Sequence, residues 1–229
     1  MINNKVLFKN VSLKLKDNFS LKNLSFSFSS SGISIIIGPN GSGKTLITKL
    51  IRGIIIPDKG SIQIKEKNSK ISYLSQKPTF LRRNVFNNLA YPMLINGFSE
   101  LETSIRINHL LNFFDFSDKA NLSARILSGG NKQFLSFIRS LVLDTEILIL
   151  DEPCSNLDLE SNNRIENYLK SIRKKKKIIM VTHDLFQAMR LADEILIINN
   201  GRLIEVSSRK NILKSKVEFT QNFLTRNIS

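Results

Sequence analysis

Three groups of residues have the types and spacing to act on a phosphate ester. The first is Gly38–Thr45, GPNGSGKT, two glycines five apart followed by lysine and a hydroxyl residue. Its glycines, Gly38, Gly41 and Gly43, let the backbone approach phosphate oxygens without a Cβ in the way. Pro39, Asn40 and Ser42 complete the loop. Lys44 would reach the β- and γ-phosphates of a nucleotide, and the Thr45 hydroxyl would ligate Mg²⁺. The second group is Ile147–Pro153, ILILDEP, where four apolar residues end in two carboxylates. Asp151 can hold Mg²⁺ or its waters, and Glu152, one residue on, can polarise an attacking water as a general base. The third is Leu127–Gln133, LSGGNKQ. Ser128, Gly129 and Gly130 before a helical stretch repeat the anion-binding arrangement of small residues, free N–H groups and a helix start.

These residues need elements to position them. Ile33–Ile37 is short and rich in isoleucine, as a buried parallel strand should be, and Thr45–Ile51 lacks Gly and Pro and suits a helix. A strand turning tightly into a helix aims backbone N–H groups at one spot, where the helix dipole favours negative charge. Upstream, Leu24, Phe26 and Phe28 alternate with serines, the period of a half-buried strand, and Val6–Phe8 and Val11–Leu15 are two weaker strand candidates. Ile62 with Ile64, and Ile71–Leu74, are further short strands. From about Pro78 the chain turns helical. Asn84–Tyr91 is expected to stop at Pro92. Ser99 should cap a helix from Glu100 to Phe114, with Glu102 in the capping-box position and Leu101, Ile105 and Leu111 among its apolar positions. Later, Ile147–Leu150, Ile178–Val181 and Ile195–Ile198 alternate with helical stretches at Leu159–Ile172 and Leu185–Ala192, which predicts parallel strands with helical crossovers. Asn200-Gly201 marks a hairpin turn into Arg202–Val206, and Arg209–Arg226 reads as one or two short helices.

Composition bounds the class. The 229 residues suffice for one large domain carrying an inserted lobe. No run approaches the roughly 18–20 apolar residues of a spanning helix, and the opening MINNKVLFKN lacks a signal-peptide core. The single cysteine, Cys154, rules out an intrachain disulfide and suits a reducing compartment. The formal charge of +15 would attract polyanions but does not choose among nucleotides, nucleic acid and anionic lipid. Its densest run, Arg173–Lys177, reads as a charged helix end.

The whole chain resembles the nucleotide-binding subunit of an ABC transporter. Gly38–Thr45 matches the Walker A loop, Leu127–Gly130 the LSGG signature, and Ile147–Asp151 Walker B, with Glu152 following. Gln76 matches the Q-loop, Ser155–Asp158 the D-loop and His183 the switch histidine, all in family order over about residues 5–206. The resemblance implies an α/β P-loop NTPase (RecA-like) core with an N-terminal antiparallel β subdomain and an inserted α-helical subdomain. The core with its β subdomain would take about 1–76 and 128–206, the helical subdomain about 77–127, and a C-terminal helical tail 207–229. It implies ATP hydrolysis with Mg²⁺ at a head-to-tail homodimer, or at a pseudo-dimer with a related chain. On that analogy Ser128 and Gly130 bind the γ-phosphate across the interface, Glu152 positions water, His183 contacts the γ-phosphate, and Gln76 senses Mg²⁺ and the membrane partner. Two departures stand out. The aromatic residue that usually stacks on adenine is missing near Leu15, with Phe19 close by, and Phe134 replaces the usual arginine after the signature.

The resemblance also implies partners: integral membrane permease subunits and a solute-binding protein, with this chain peripheral on the cytoplasmic face of the membrane and no nucleic acid bound. Gln76–Met93 and Thr182–Ile195 are similar to importer ATPases of the tungstate or molybdate oxyanion type. The alternatives are a soluble ABC-type ATPase acting on ribosomes or nucleic acid, an exporter, or an ATPase of another membrane complex.

Overall fold

The computed structural model describes residues 4–15, 19–65 and 70–228. From the N-terminus its elements are β1 (Asn4–Lys14), β2 (Ser20–Ser29), β3 (Gly32–Ile37), α1 (Lys44–Ile51), β4 (Lys59–Ile64) and β5 (Ile71–Leu74). Next come α2 (Val85–Ile95), α3 (Glu100–Phe113), α4 (Gly129–Leu141), β6 (Ile147–Asp151) and α5 (Leu159–Ile172). The remainder is β7 (Lys177–Val181), α6 (Leu185–Leu191), β8 (Glu194–Asn199), β9 (Arg202–Ser208), α7 (Arg209–Ile212) and α8 (Glu218–Ile228). The chain forms two compact units, one of Met1–Ile71, Glu146–Glu152 and Leu169–Ser229, the other of Ser72–Thr145 and Pro153–Tyr168.

The first unit contains an antiparallel sheet in the order β2-β1-β4 and strands in the order β6-β7-β3-β8-β9. The two strand candidates near the N-terminus are one strand, β1. Its register shifts between Phe8 and Val11, where Asn10 takes a positive φ of 49° and donates its N–H to Ser25 Oγ. A bulge lets a strand bend without ending, and apolar pattern alone reads it as a gap. Phe8 stacks on Phe26 at 4.5 Å, and Phe28 meets both edge-on. Strands β6, β7, β3 and β8 run parallel, Ile33 opposite Ile178 and Ile35 opposite Ile195. β6 and β7 are buried throughout, which is why these strands read as unbroken Ile/Leu runs. Asn200 and Gly201, both at positive φ, turn β8 into antiparallel β9. The tail is two helices. Glu205 of β9 holds it by accepting hydrogen bonds from Ser215 Oγ and buried Thr220 Oγ1.

The second unit is built on α2, α3, α4 and the first part of α5. One expectation fails here. α2 runs through Pro92 to Ile95, because the proline removes one helical N–H while Leu89, Ala90 and Met93 bury their side chains around it. The Ser99–Glu102 capping box starts α3 as expected. However, its core face is Thr103, Ile107, Leu110 and Leu111, while Leu101 and Ile105 are 70% and 62% exposed. Phe114 gathers Phe113, Phe134, Phe137 and Tyr168 around it, with centroids 4.9 to 5.7 Å away.

Lys177, at the start of β7, is buried although it closes a basic run. Its ammonium donates to Ser29 Oγ and Ser34 Oγ at 2.9 and 2.7 Å and lies 5.8 Å from the centre of the Phe28 ring. Burial pushes its pKa down to about 8, against the pull of Glu194 and Asp193. A lowered folded-state pKa means that the charged side chain opposes folding below about pH 8, and that this penalty fades as the pH climbs toward 10.5. Lys177→Met removes the penalty. Its stability relative to wild type should therefore fall by on the order of 3 kcal/mol across that window. Urea unfolding at several pH values measures this, and a difference that stays constant with pH would contradict it.

Candidate nucleotide-binding site

The phosphate loop follows from how β3 ends. After Ile37 the chain turns at Gly38, φ 153°, where a Cβ would lie 2.0 Å from the Ile198 carbonyl oxygen of β8. Only glycine passes that close. Gly43 opens α1 with no side-chain cap, leaving the helix start to an outside partner. Within the loop, the Lys44 ammonium donates to the carbonyls of Gly38 and Pro39 at 2.8 and 3.0 Å. Burial lowers the Lys44 pKa, opposed by the charges of Glu152 and Asp151, which places both carboxylates within electrostatic reach of it. Ser42 Oγ is buried with no hydrogen-bond partner. An uncapped helix start, a desolvated ammonium and an orphaned hydroxyl are together the needs that a bound polyphosphate meets.

The carboxylates sit at the end of β6, against which α1 packs. Asp151 is 1% exposed. Glu152 leaves the strand at a positive φ of 53°, a left-handed conformation unusual for a residue with a Cβ, and donates its N–H to the Val181 carbonyl of β7. His183, just beyond β7, is hydrogen-bonded through Nδ1 to Glu152 Oε1 at 2.9 Å. Their side chains are 68% and 10% exposed respectively, so the histidine forms the outer and the glutamate the inner end of the pair. Asp184, next along, caps α6 through the Gln187 N–H and fixes where the histidine loop ends.

Thus the first unit brings Gly38–Thr45, Asp151, Glu152 and His183 together, and the Phe19 ring lies 3.2 Å from where a Cβ on Gly43 would sit. Gln76 and Ser128–Gly130 belong to the second unit. Gln76 is exposed. Ser128 caps α4 by accepting the Asn131 N–H, and Gly130 lies close against the Asn156 carbonyl. Phe134, where the resemblance leads one to expect arginine, is buried beside Phe114 and Phe116. The helix thus gains an aromatic anchor at that position. Asp158 caps α5 through the Ser161 N–H, which holds its pKa below the usual carboxylate range. Sequence reasoning missed Arg139 of α4. Its guanidinium donates to the Thr79 carbonyl at 2.8 Å and covers the Phe80 ring, fixing the loop that follows Gln76. The available signal was a cation within the apolar run Phe134–Leu141.

This arrangement is that of a P-loop ATPase, and the sequence pattern described as ABC transporter matches residues 21–155. The chain belongs to the ABC transporter family and is an ATP-binding ATPase subunit of a transporter. It is 33% identical over 224 residues to the molybdate/tungstate import ATP-binding protein WtpC of Methanocaldococcus jannaschii, covering 94% of this chain and 75% of that one. It is 34% identical over 188 residues to the tungstate uptake system ATP-binding protein TupC of Peptoclostridium acidaminophilum, covering 79% and 88%. Among solved structures, cbiO1 of Clostridium perfringens, part of the ABC transporter complex cbiONQ, superposes with a TM-score of 0.81 at 22% identity, covering 97% and 95%. Among the described residues no helix is long and apolar enough to cross a membrane.

Gly38→Ala should cost on the order of 2 kcal/mol of stability through the clash with Ile198, and ATP affinity should drop in parallel. Thermal unfolding and calorimetric titration with ATP measure both, and wild-type values for either would contradict the close approach.

Proposed function

We propose that this chain powers import of a small oxyanion, of the molybdate or tungstate class, by hydrolysing ATP between two copies packed head to tail. The observation that carries the reading is the constellation of Lys44, Asp151, Glu152 and His183 beside an uncapped helix start. The names of the relatives supply the substrate class.

In this mechanism the amides of Gly41–Thr45 and the Lys44 ammonium hold the β- and γ-phosphates, and Ser42 Oγ finds its missing partner there. The Thr45 hydroxyl and Asp151 would hold Mg²⁺. Mg²⁺ supplies charge neutralisation on the phosphoryl group when bound. Glu152 orients the attacking water and accepts its proton, and His183 fixes the carboxylate and reaches the γ-phosphate. Phe19, beside the loop, is the aromatic surface for the base in the absence of one near residue 15. Ser128, Gly129 and Gly130 of a second copy close over the γ-phosphate, using the N–H groups that begin α4. By the family resemblance, Gln76 would sense Mg²⁺ and a membrane permease. Tyr91, Leu94, Ile95, Leu101 and Ile105 form an exposed apolar set on α2 and α3 that suits permease docking. With a solute-binding protein delivering the anion, the chain works at the cytoplasmic face of the membrane.

Two measurements test this. Glu152→Gln should bind MgATP with near wild-type affinity, dimerise and hydrolyse it roughly 100-fold or more slowly; an unchanged rate would remove Glu152 from its role. Lys44→Ala should lose most nucleotide affinity in calorimetry. If the purified protein retained RNA tightly and no membrane protein co-purified, the transport reading would give way to a soluble ABC-type ATPase acting on nucleic acid.

A further inference from the structure

We propose that the turn between β8 and β9 is a positioning element for nucleotide binding: the Gly201 N–H holds the Ser42 carbonyl and so aims the Gly43 N–H at the phosphates. This rests on the reading of Gly38–Thr45 as the phosphate-binding loop and adds a residue far from it in sequence.

Gly201 joins two parts of the first unit. Its N–H donates to the Ser42 carbonyl at 3.0 Å, and its own carbonyl accepts the Lys22 N–H of β2 at 2.8 Å. The residue is buried and has a positive φ of 72°. A Cβ on it would lie 1.9 Å from the Ser20 carbonyl oxygen and 3.2 Å from Leu21 Cα. The turn is thus pressed against β2 on one side and bonded to the loop on the other, and a side chain at residue 201 would have to move it.

The bond to Ser42 sets a direction. A trans peptide points its C=O and N–H opposite ways, and the described residues contain no cis peptide. Fixing the Ser42 carbonyl on Gly201 therefore turns the Gly43 N–H away from the β8–β9 turn. The neighbouring peptides are fixed from within the loop and helix. The Ser42 N–H donates to the Pro39 carbonyl at 3.2 Å, and the Gly43 carbonyl accepts the N–H groups of Leu46 and Ile47 at 3.0 and 3.2 Å. The peptide between them is the one whose carbonyl Gly201 takes. It adjoins a glycine at φ 104°, so its own residues give it little steric hold. Behind it stand Leu21 and Phe19, with Leu21 Cδ2 2.6 Å from where a Cβ on Gly43 would fall. Ser42 Oγ, buried with no hydrogen-bond partner, is a separate sign that this segment is arranged for a ligand.

The test measures ligand affinity by calorimetry at a temperature where every variant is folded. Gly201→Ala displaces the turn through the Ser20 carbonyl. Replacing Gly201 with glycolic acid makes the bond from Asn200 an ester, which deletes the N–H donor and adds no side chain. Both changes should weaken ATP and tripolyphosphate alike, roughly tenfold, and shift the Gly43 amide resonance of the nucleotide-free chain. Tripolyphosphate has neither base nor ribose, so a shared loss lies at the phosphates. Gly53→Ala is the control. Gly53 has a φ of 67°, and no described atom lies within 4 Å of a Cβ built on it, so that variant carries left-handed strain without a collision and should keep wild-type affinity. Unchanged affinity in the ester variant, or an equal loss in Gly53→Ala, would overturn the positioning role while a Lys44→Ala variant that loses ATP leaves the phosphate loop standing. Wild-type ATP affinity in Lys44→Ala would overturn both.

Discussion

The structure depends on one electrostatic imbalance. A lysine ammonium is held in a glycine-lined turn at the mouth of a parallel sheet, donating hydrogen bonds to two backbone carbonyls, with two carboxylates at the end of β6 within electrostatic reach. Removing that charge from water is unfavourable, and an uncapped helix start beside it adds further positive potential. A polyphosphate relieves both at once. Much else in the first unit serves to hold this arrangement: β3 and β8 in register so that the turn can pass the Ile198 carbonyl, and α1 packed against β6 so that the lysine and acids share one place.

The groups of the candidate site are graded by depth. Asp151 is fully enclosed, Glu152 nearly so, and His183 faces outward while bonded to the glutamate. An inner acid suits a cation, an intermediate one suits a water that must enter and leave, and an outer imidazole suits a group that meets what arrives from outside. The second unit shows the same economy. Ser128 both presents the glycine turn and caps the helix behind it, and Arg139 of that helix fixes the loop after Gln76.

The phosphate loop and both acids stood out in the sequence as particular residue types at fixed spacing, and the histidine through the family resemblance. The core strands were legible because burial on both faces leaves uninterrupted Ile/Leu runs. What escaped was set by tertiary context. The bulge at Asn10 depends on a serine of the paired strand, which no local pattern reveals. Pro92 is tolerated because the residues around it bury their side chains, whereas the local rule considers only the missing N–H. Which apolar residues of α3 are buried was likewise not legible: the helix turns Ile107, Leu110 and Leu111 inward and leaves Leu101 and Ile105 outside. Phe134 read as a departure from the family pattern, and it packs on Phe114 and Phe116, which lie well away in sequence.

Glu152 bends the backbone into a left-handed conformation. A side chain there carries roughly 1–2 kcal/mol of strain that glycine would not. Glycine would relieve that strain and remove the carboxylate with it, so in the proposed mechanism stability and turnover make opposite demands on this one position.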